Sequence, residues 1–200
     1  MSVSTIDFLE ELDLKKTAYP YTISDNSAEY NEMVIHLVKM LSQEIILLSA
    51  AADKQVIVTD QEVQLAEEEF KKEYPDTSFD QMLLENAISY SFWKKRLKKD
   101  MIIDKLIDQE LKTKIEISPQ DIVEYFKKNN HPVQSMVQES EIPGVNKKMD
   151  EKDLIASLRL QKTQEQYDEW MQQLELLYPV EIDKEKLKTF LLDLEIKEGN

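Results

Sequence analysis

The stretch "VIVTDQEV" at residues 56–63 is written again as "IEISPQDI" at residues 115–122, and a looser third copy, "VEIDKEKL", occupies residues 180–187. Each copy sets two apolar residues around one position, then Thr59, Ser118 or Asp183, then an acidic residue within the next three. A side-chain oxygen at those positions can accept from the unbonded amides of a helix's first turn. Thr59 with Glu62 fits a reciprocal capping box, and Pro119 sits where a helix best tolerates proline. The copies therefore read as three helix starts, each entered through a short link.

Between the links, helical periodicity dominates. Tyr30, Val34, Leu37, Leu41, Ile45 and Leu48 recur at three- and four-residue steps, predicting a helix over about 27–53, and Met33, Met40 and Leu47 widen its apolar face. After the first link, Val63, Ala66 and Phe70 mark a helix ending near Tyr74. Ser78 and Gln81 suggest a second capping box, with Phe79, Met82 and Leu83 on a short helix. Residues 86–89 read as a turn and a new cap, and Trp93, Leu97, Met101, Ile103, Ile107 and Leu111 carry a long helix to Lys114. The second link starts a short helix with Ile122, Val123 and Phe126 facing inward. Residues 131–150, with Pro132, Pro143 and Gly144, read as a connector. Leu154, Ile155, Leu158, Tyr167, Trp170, Met171, Leu174 and Leu177 then mark a long helix, and Leu187, Phe190, Leu191 and Leu194 a last one. At the start, Ile6, Phe8, Leu9 and Leu12 suit a short helix before the break at residues 19–21. The fold class is mainly α, and the short links could pair as a few β pieces.

Composition removes several functions. Gly144 and Gly199 are the only glycines, so Gly-rich phosphate-binding loops are absent. A formal net charge of −15 repels nucleic acid and anionic membrane surfaces. The one local exception, "KKRLKK" at residues 94–99, reads as a solvated helix face. With no cysteine there is no thiol chemistry, and the chain suits an oxidising compartment without requiring one. The densest apolar run, residues 44–50, is too short to cross a bilayer, and nothing resembles a signal peptide. An exported form would have shed its signal, with Met1 then not the natural start.

Catalytic constellations are hard to find. His36 and His131 have no helix-spaced ligand partner, and adjacent acids such as Glu67, Glu68 and Glu69 point in different directions on a helix. The serines fall mostly at caps and lack a base. No enzyme, metal or cofactor is expected. The adaptable apolar side chains are more informative: Met33, Met40, Tyr90, Phe92, Trp93, Met101, Trp170 and Met171 combine large area with flexible or amphipathic shape. They read either as core at helical spacing or as a groove for apolar segments of other chains.

The order of segments resembles a known family. "LSQEIILLSAAADKQVIVTDQEV", then "TSFDQMLLENAISYSFWKKRLKKDMIIDKLIDQEL", then "KTKIEISPQDIVEYFKKN" is similar to the N-terminal module of SurA-like periplasmic chaperones, shared with PrsA-like foldases and similar in kind to the trigger factor substrate-binding domain. Residues 43–51 and 56–63 match the family's apolar helix end and following link, whereas Asn86 and Ala87 stand where the family usually has glycine. Residues 155–183 resemble the C-terminal helix that returns to that module. The resemblance implies a chaperone module at 1–130, a connector at 131–150 in place of a parvulin domain, and a C-terminal segment at 151–200 packing back on the first. It further implies an ATP-independent holdase for unfolded or outer-membrane polypeptides in the periplasm or cell envelope. With the charge and side-chain chemistry above, no nucleic-acid partner and no stable membrane insertion are expected, and the eight residues named are the candidate peptide contacts. A dedicated assembly scaffold for one envelope partner is the alternative. Prolyl isomerisation is the least favoured reading, because the connector is too short for that domain and lacks its histidine and aromatic set.

Overall fold

All three repeated links start helices, and the chain is mainly α-helical. The computed structural model describes residues 1–74, 78–128 and 151–193. Its helices are α1 (Thr5–Lys16), α2 (Ser27–Asp53), α3 (Asp60–Lys72), α4 (Ser78–Glu85), α5 (Tyr90–Glu110), α6 (Pro119–Lys128), α7 (Glu151–Leu177) and α8 (Lys184–Lys188). Single 3-10 turns lie at Tyr21–Asp25 and Lys112–Lys114. No strand occurs among the described residues, so the links are not paired as a sheet. The connector expected at 131–150, the Phe126 side chain and Leu194 lie outside the described residues.

The caps form as the side-chain chemistry requires. The Glu62 amide donates to Thr59 Oγ1 at 3.2 Å, and the Thr59 amide donates back to Glu62 at 2.7 Å. Asp121 and Ser118 repeat the exchange at 3.3 and 2.7 Å, and the Lys186 amide donates to Asp183 at 3.0 Å. Ser4 and Asp7 make a further box at the start of α1. The box expected at Ser78 and Gln81 does not form: Ser78 already lies inside α4, its hydroxyl is buried without a partner among the described residues, and Gln81 bonds Glu85 instead.

Two helices end in left-handed residues that are not glycine, Gln55 (φ 56°) and Ala87 (φ 53°). At each, a paired set of bonds closes the turn: Val56 to Ala51 and Gln55 to Ala52, then Ile88 to Leu83 and Ala87 to Leu84. The long helix also stops earlier than its periodicity predicts, at Glu110, because the chain tightens into the 3-10 turn before the second link.

The chain divides into two compact units, one of residues 1–106 together with those from Leu174 onward, the other Ile107–Gln173. In the first, Leu12, Ile23, Tyr30, Met33, Val34, Leu37 and Leu41 form a buried cluster, with Phe8, Leu187, Phe190 and Leu191 packed against it. Each such side chain taken from water contributes about 1.5–3 kcal/mol. By length and composition α2 is apolar enough to span a membrane, a property the reading of residues 44–50 missed. Its apolar face is here the core of the unit. In the second unit Leu111, Ile115, Leu154, Leu158 and Met171 are buried. Val123 (40% exposed), expected inward, faces solvent, and so does Leu177 (70% exposed) of the predicted stripe in the first unit. The apolar side chains already buried in each unit leave these two uncovered.

The run at residues 94–99 keeps contact with solvent, but each of its cations is paired with an acid of another helix. Lys94 and Lys98 bond Glu67 and Asp60 of α3 at 2.9 and 2.8 Å. Lys95 and Arg96 pair with Asp7 and Glu11 of α1, and Lys99 pairs with Glu44 of α2. Glu11 is buried, which pushes its carboxyl above the ordinary range even though Arg96 pulls it down.

Two outcomes follow for stability. Ala87→Gly should stabilise the protein by about 1 kcal/mol in urea titrations, since only glycine occupies that conformation without a Cβ penalty. Arg96→Met should destabilise it by about 3 kcal/mol at pH 7, because a buried carboxylate loses its partner. A raised carboxyl favours the folded state when protonated, so that loss should shrink as pH falls through the Glu11 titration toward the ordinary carboxylate range.

Candidate functional site

The third link lines an open groove in the first unit. The groove, of about 690 Å³, is floored by Val38, Ser42, Ile45 and Ser49 of α2. One wall is residues 1–5 and Phe8, and the other is residues 177–183 with Leu187 and Phe190. The i, i+4, i+7 spacing of the floor residues places them on one face of α2. Val38 and Ile45 are half-buried, so apolar surface remains open along it. The serines keep the floor low, and Ser42 spends its hydroxyl on the Val38 carbonyl at 2.8 Å.

The far wall is tied at both ends of α2. The Tyr178 hydroxyl donates to Asp53 at 3.0 Å. At the other end the Asn31 amide group donates to the Leu192 carbonyl and accepts from the Leu192 amide, each at 2.8 Å. Phe190 packs on Phe8 with ring centroids 4.7 Å apart. Between these ties, the backbone amides and carbonyls of Val180, Glu181 and Ile182 meet no partner among the described residues.

In each of the first two links a lysine clamps one carbonyl. Lys105 Nζ donates to the Ile57 carbonyl at 2.9 Å and to Glu62 at 2.8 Å. Lys162 Nζ donates to the Glu116 carbonyl at 3.2 Å and to Asp121 at 2.6 Å. In both, the carbonyl lies two residues before the cap and the carboxylate three after it. The lysine bond, helped by the cap, holds Glu62 and Asp121 at about 2. The third link has Lys186 where the others have an acid, and no lysine among the described residues clamps the Glu181 carbonyl.

None of the eight residues proposed from the sequence lines this groove. Met33, Phe92 and Met171 are buried. Met101, Trp93 and Trp170 are half-buried, while Met40 and Tyr90 are exposed. Met40 lies with its sulfur 3.9 Å from Lys15 Nζ, and Trp170 stacks obliquely near Tyr167 at 5.7 Å. Tyr90 and Trp93 are brought together, 6.1 Å apart, in a ring cluster with Phe70, Tyr74 and Phe79. Phe92 and Trp93 also border a cavity of about 190 Å³. Sequence reasoning passed over Val38, Ile45, Val180 and Ile182, and the signal that marks them is the divergent third link.

Glu67 anchors the ring cluster, accepting from Lys71 (2.6 Å), the Tyr90 hydroxyl (2.6 Å) and Lys94 (2.9 Å). Burial pushes its carboxyl up, but these three donors outweigh that and hold it at about 2. Among the described residues no three metal-ligating side chains converge, and His36 is exposed on α2. No protein family, curated protein or solved structure matches the chain.

A carboxyl depressed in the folded state stabilises fully above its ordinary value near 4.5, and that stability is lost as pH falls toward 2. In a Trp170→Phe background, Trp93 emission should therefore shift to the red across this window as the cluster loosens. Glu67→Gln should remove the transition there, and an unchanged profile would mean that ring packing alone holds Trp93.

Proposed function

We propose that this protein is an ATP-independent chaperone of the SurA-like kind, which holds unfolded or outer-membrane polypeptides in the cell envelope without catalysis. The observation that carries the reading is the open groove on α2, whose volume of about 690 Å³ falls within the usual range for ligand clefts of about 300–1,000 Å³. It is wide enough for a few side chains of an unfolded segment and too small for a folded partner. Val38, Ile45, Val180 and Ile182 offer apolar area with no fixed polar contact that would demand one sequence, which suits weak, promiscuous binding. The net charge of −15 keeps a loaded complex soluble. The order of the links and helices supports the same reading through the resemblance already drawn.

An unfolded outer-membrane protein diluted into buffer should scatter less light when this chain is present at equal concentration. Ile45→Gln, nearly isosteric, should weaken binding of a dye-labelled apolar peptide roughly tenfold through lost apolar contact, with circular dichroism unchanged. Unaltered scattering would sink the chaperone reading. A peptide array that returns one dominant sequence would point instead to a dedicated assembly scaffold.

A further inference from the structure

We propose that the client enters as an added strand, an extended segment with a basic residue that pairs along residues 180–182 and sets its apolar side chains on Val38 and Ile45. The inference deepens the chaperone reading and rests on it.

Three observations carry it. First, Val180, Glu181 and Ile182 are non-helical chain lining the groove, leading into the extended cap residue Asp183, with backbone amides and carbonyls that have no partner among the described residues. Such a row is a template for another chain, at a spacing of about 4.8 Å. Strand addition takes its affinity from main-chain bonds and leaves side chains unspecified, which is what a promiscuous holder needs. The ties at Tyr178 and Leu192 hold the wall in place, so it does not have to be ordered when the client arrives.

Second, the chain shows twice what fills such a link. At residues 56–63 and 115–122 an ammonium group sits on the carbonyl two before the cap and on a carboxylate beside it. At the third link the equivalent carbonyl, on Glu181, has no donor among the described residues, and the link itself carries the acids Glu181 and Asp183. Lys186, which stands where the other links have their acid, reaches only Asp183, at 3.9 Å. The missing cation is therefore supplied by the client.

Third, charge favours such a client. The cations of residues 94–99 are all paired within the unit, while Glu181 has no ion pair among the described residues. Lys186, which also lines the groove, is matched by Asp183, so a segment that sets a basic residue beside Glu181 is complementary to this edge and one that sets an acid there is repelled.

The test uses fluorescence anisotropy with the full chain and a labelled nine-residue peptide of alternating valine and lysine. Methylating one alternate set of peptide amides should weaken binding at least tenfold, and methylating the other set less than twofold. Replacing the peptide lysines by glutamate should abolish binding, and Ile182→Pro, which deletes one edge amide, should weaken it about tenfold. If Ile182→Pro does not fold by circular dichroism, the methylated pair decides. Equal effects of the two methylated sets, together with a loss on Ile45→Gln, would overturn strand addition and leave the chaperone reading standing. No binding of any peptide, with no suppression of client scattering, would overturn both. A doubled mass without peptide that Ile182→Pro abolishes would assign the edge to a second copy of the chain and overturn the proposal.

Discussion

The ring of ion pairs around residues 94–99 of α5 is the constraint on which the first unit depends. Successive residues of a helix project about 100° apart, so a run of cations points almost all round the axis. Such a helix is stable inside a fold only if acids approach from several sides. Lys94 and Lys98, one turn apart, meet Glu67 and Asp60, which lie on α3. On the next row Lys95 and Lys99 meet Asp7 of α1 and Glu44 of α2, and Arg96 meets Glu11 of α1. Individually the exposed pairs contribute little, because solvent screens them. Their collective effect is on register: sliding α5 by one residue would turn each cation away from its acid while leaving the chain as hydrophobic as before. The apolar cluster under α2 supplies the bulk of the stabilisation, and the charges select which packing of these helices it stabilises.

How much of this was legible depends on the range of the interaction. The stripe from Tyr30 to Leu48 and the caps at Thr59, Ser118 and Asp183 are local, with each signal contained within a few turns of helix, and all were readable. The acid partners of the basic run lie between 27 and 88 residues away in the chain, so a charge pattern read along one helix suggested only solvent. Val123 was read inward because its neighbours gave it helical spacing, but spacing cannot say how wide a face the neighbouring elements cover. Ser78 failed for a finer reason: a hydroxyl one residue inside the helix start cannot reach the amides that a cap would serve. The groove was hidden because three segments far apart in the chain build it.

The same logic separates the apolar residues by what they have left to offer. Met33 and Phe92 have large, adaptable side chains, and the core has used that area already. Tyr90 commits its hydroxyl to Glu67, and Trp93 is packed among Phe70 and Phe79. What remains open is smaller and stiffer: Val38, Ile45, Val180 and Ile182. Branched side chains of this kind suit the face of an extended strand, since they present apolar area without a large entropy loss. A surface made of them favours shape-tolerant contact with alternating side chains over deep insertion of a single aromatic ring.

The three links also explain one another. In the first two, the acid at the third helical residue serves the cap and receives a lysine, so one ammonium group closes both the helix start and the link that leads into it. In the third, Lys186 stands at that position. A lysine there offers no carboxylate to hold a second ammonium group of the chain and turns its own toward Asp183, which leaves the link carbonyl without a donor among the described residues. One exchange of charge thus converts a structural joint into an open edge, while the cap at Asp183 and the docking of Phe190 keep that edge fixed beside α2. The copy that departs most from the repeat is the one that borders the groove, and the clamp on its central carbonyl is the interaction it lacks among the described residues.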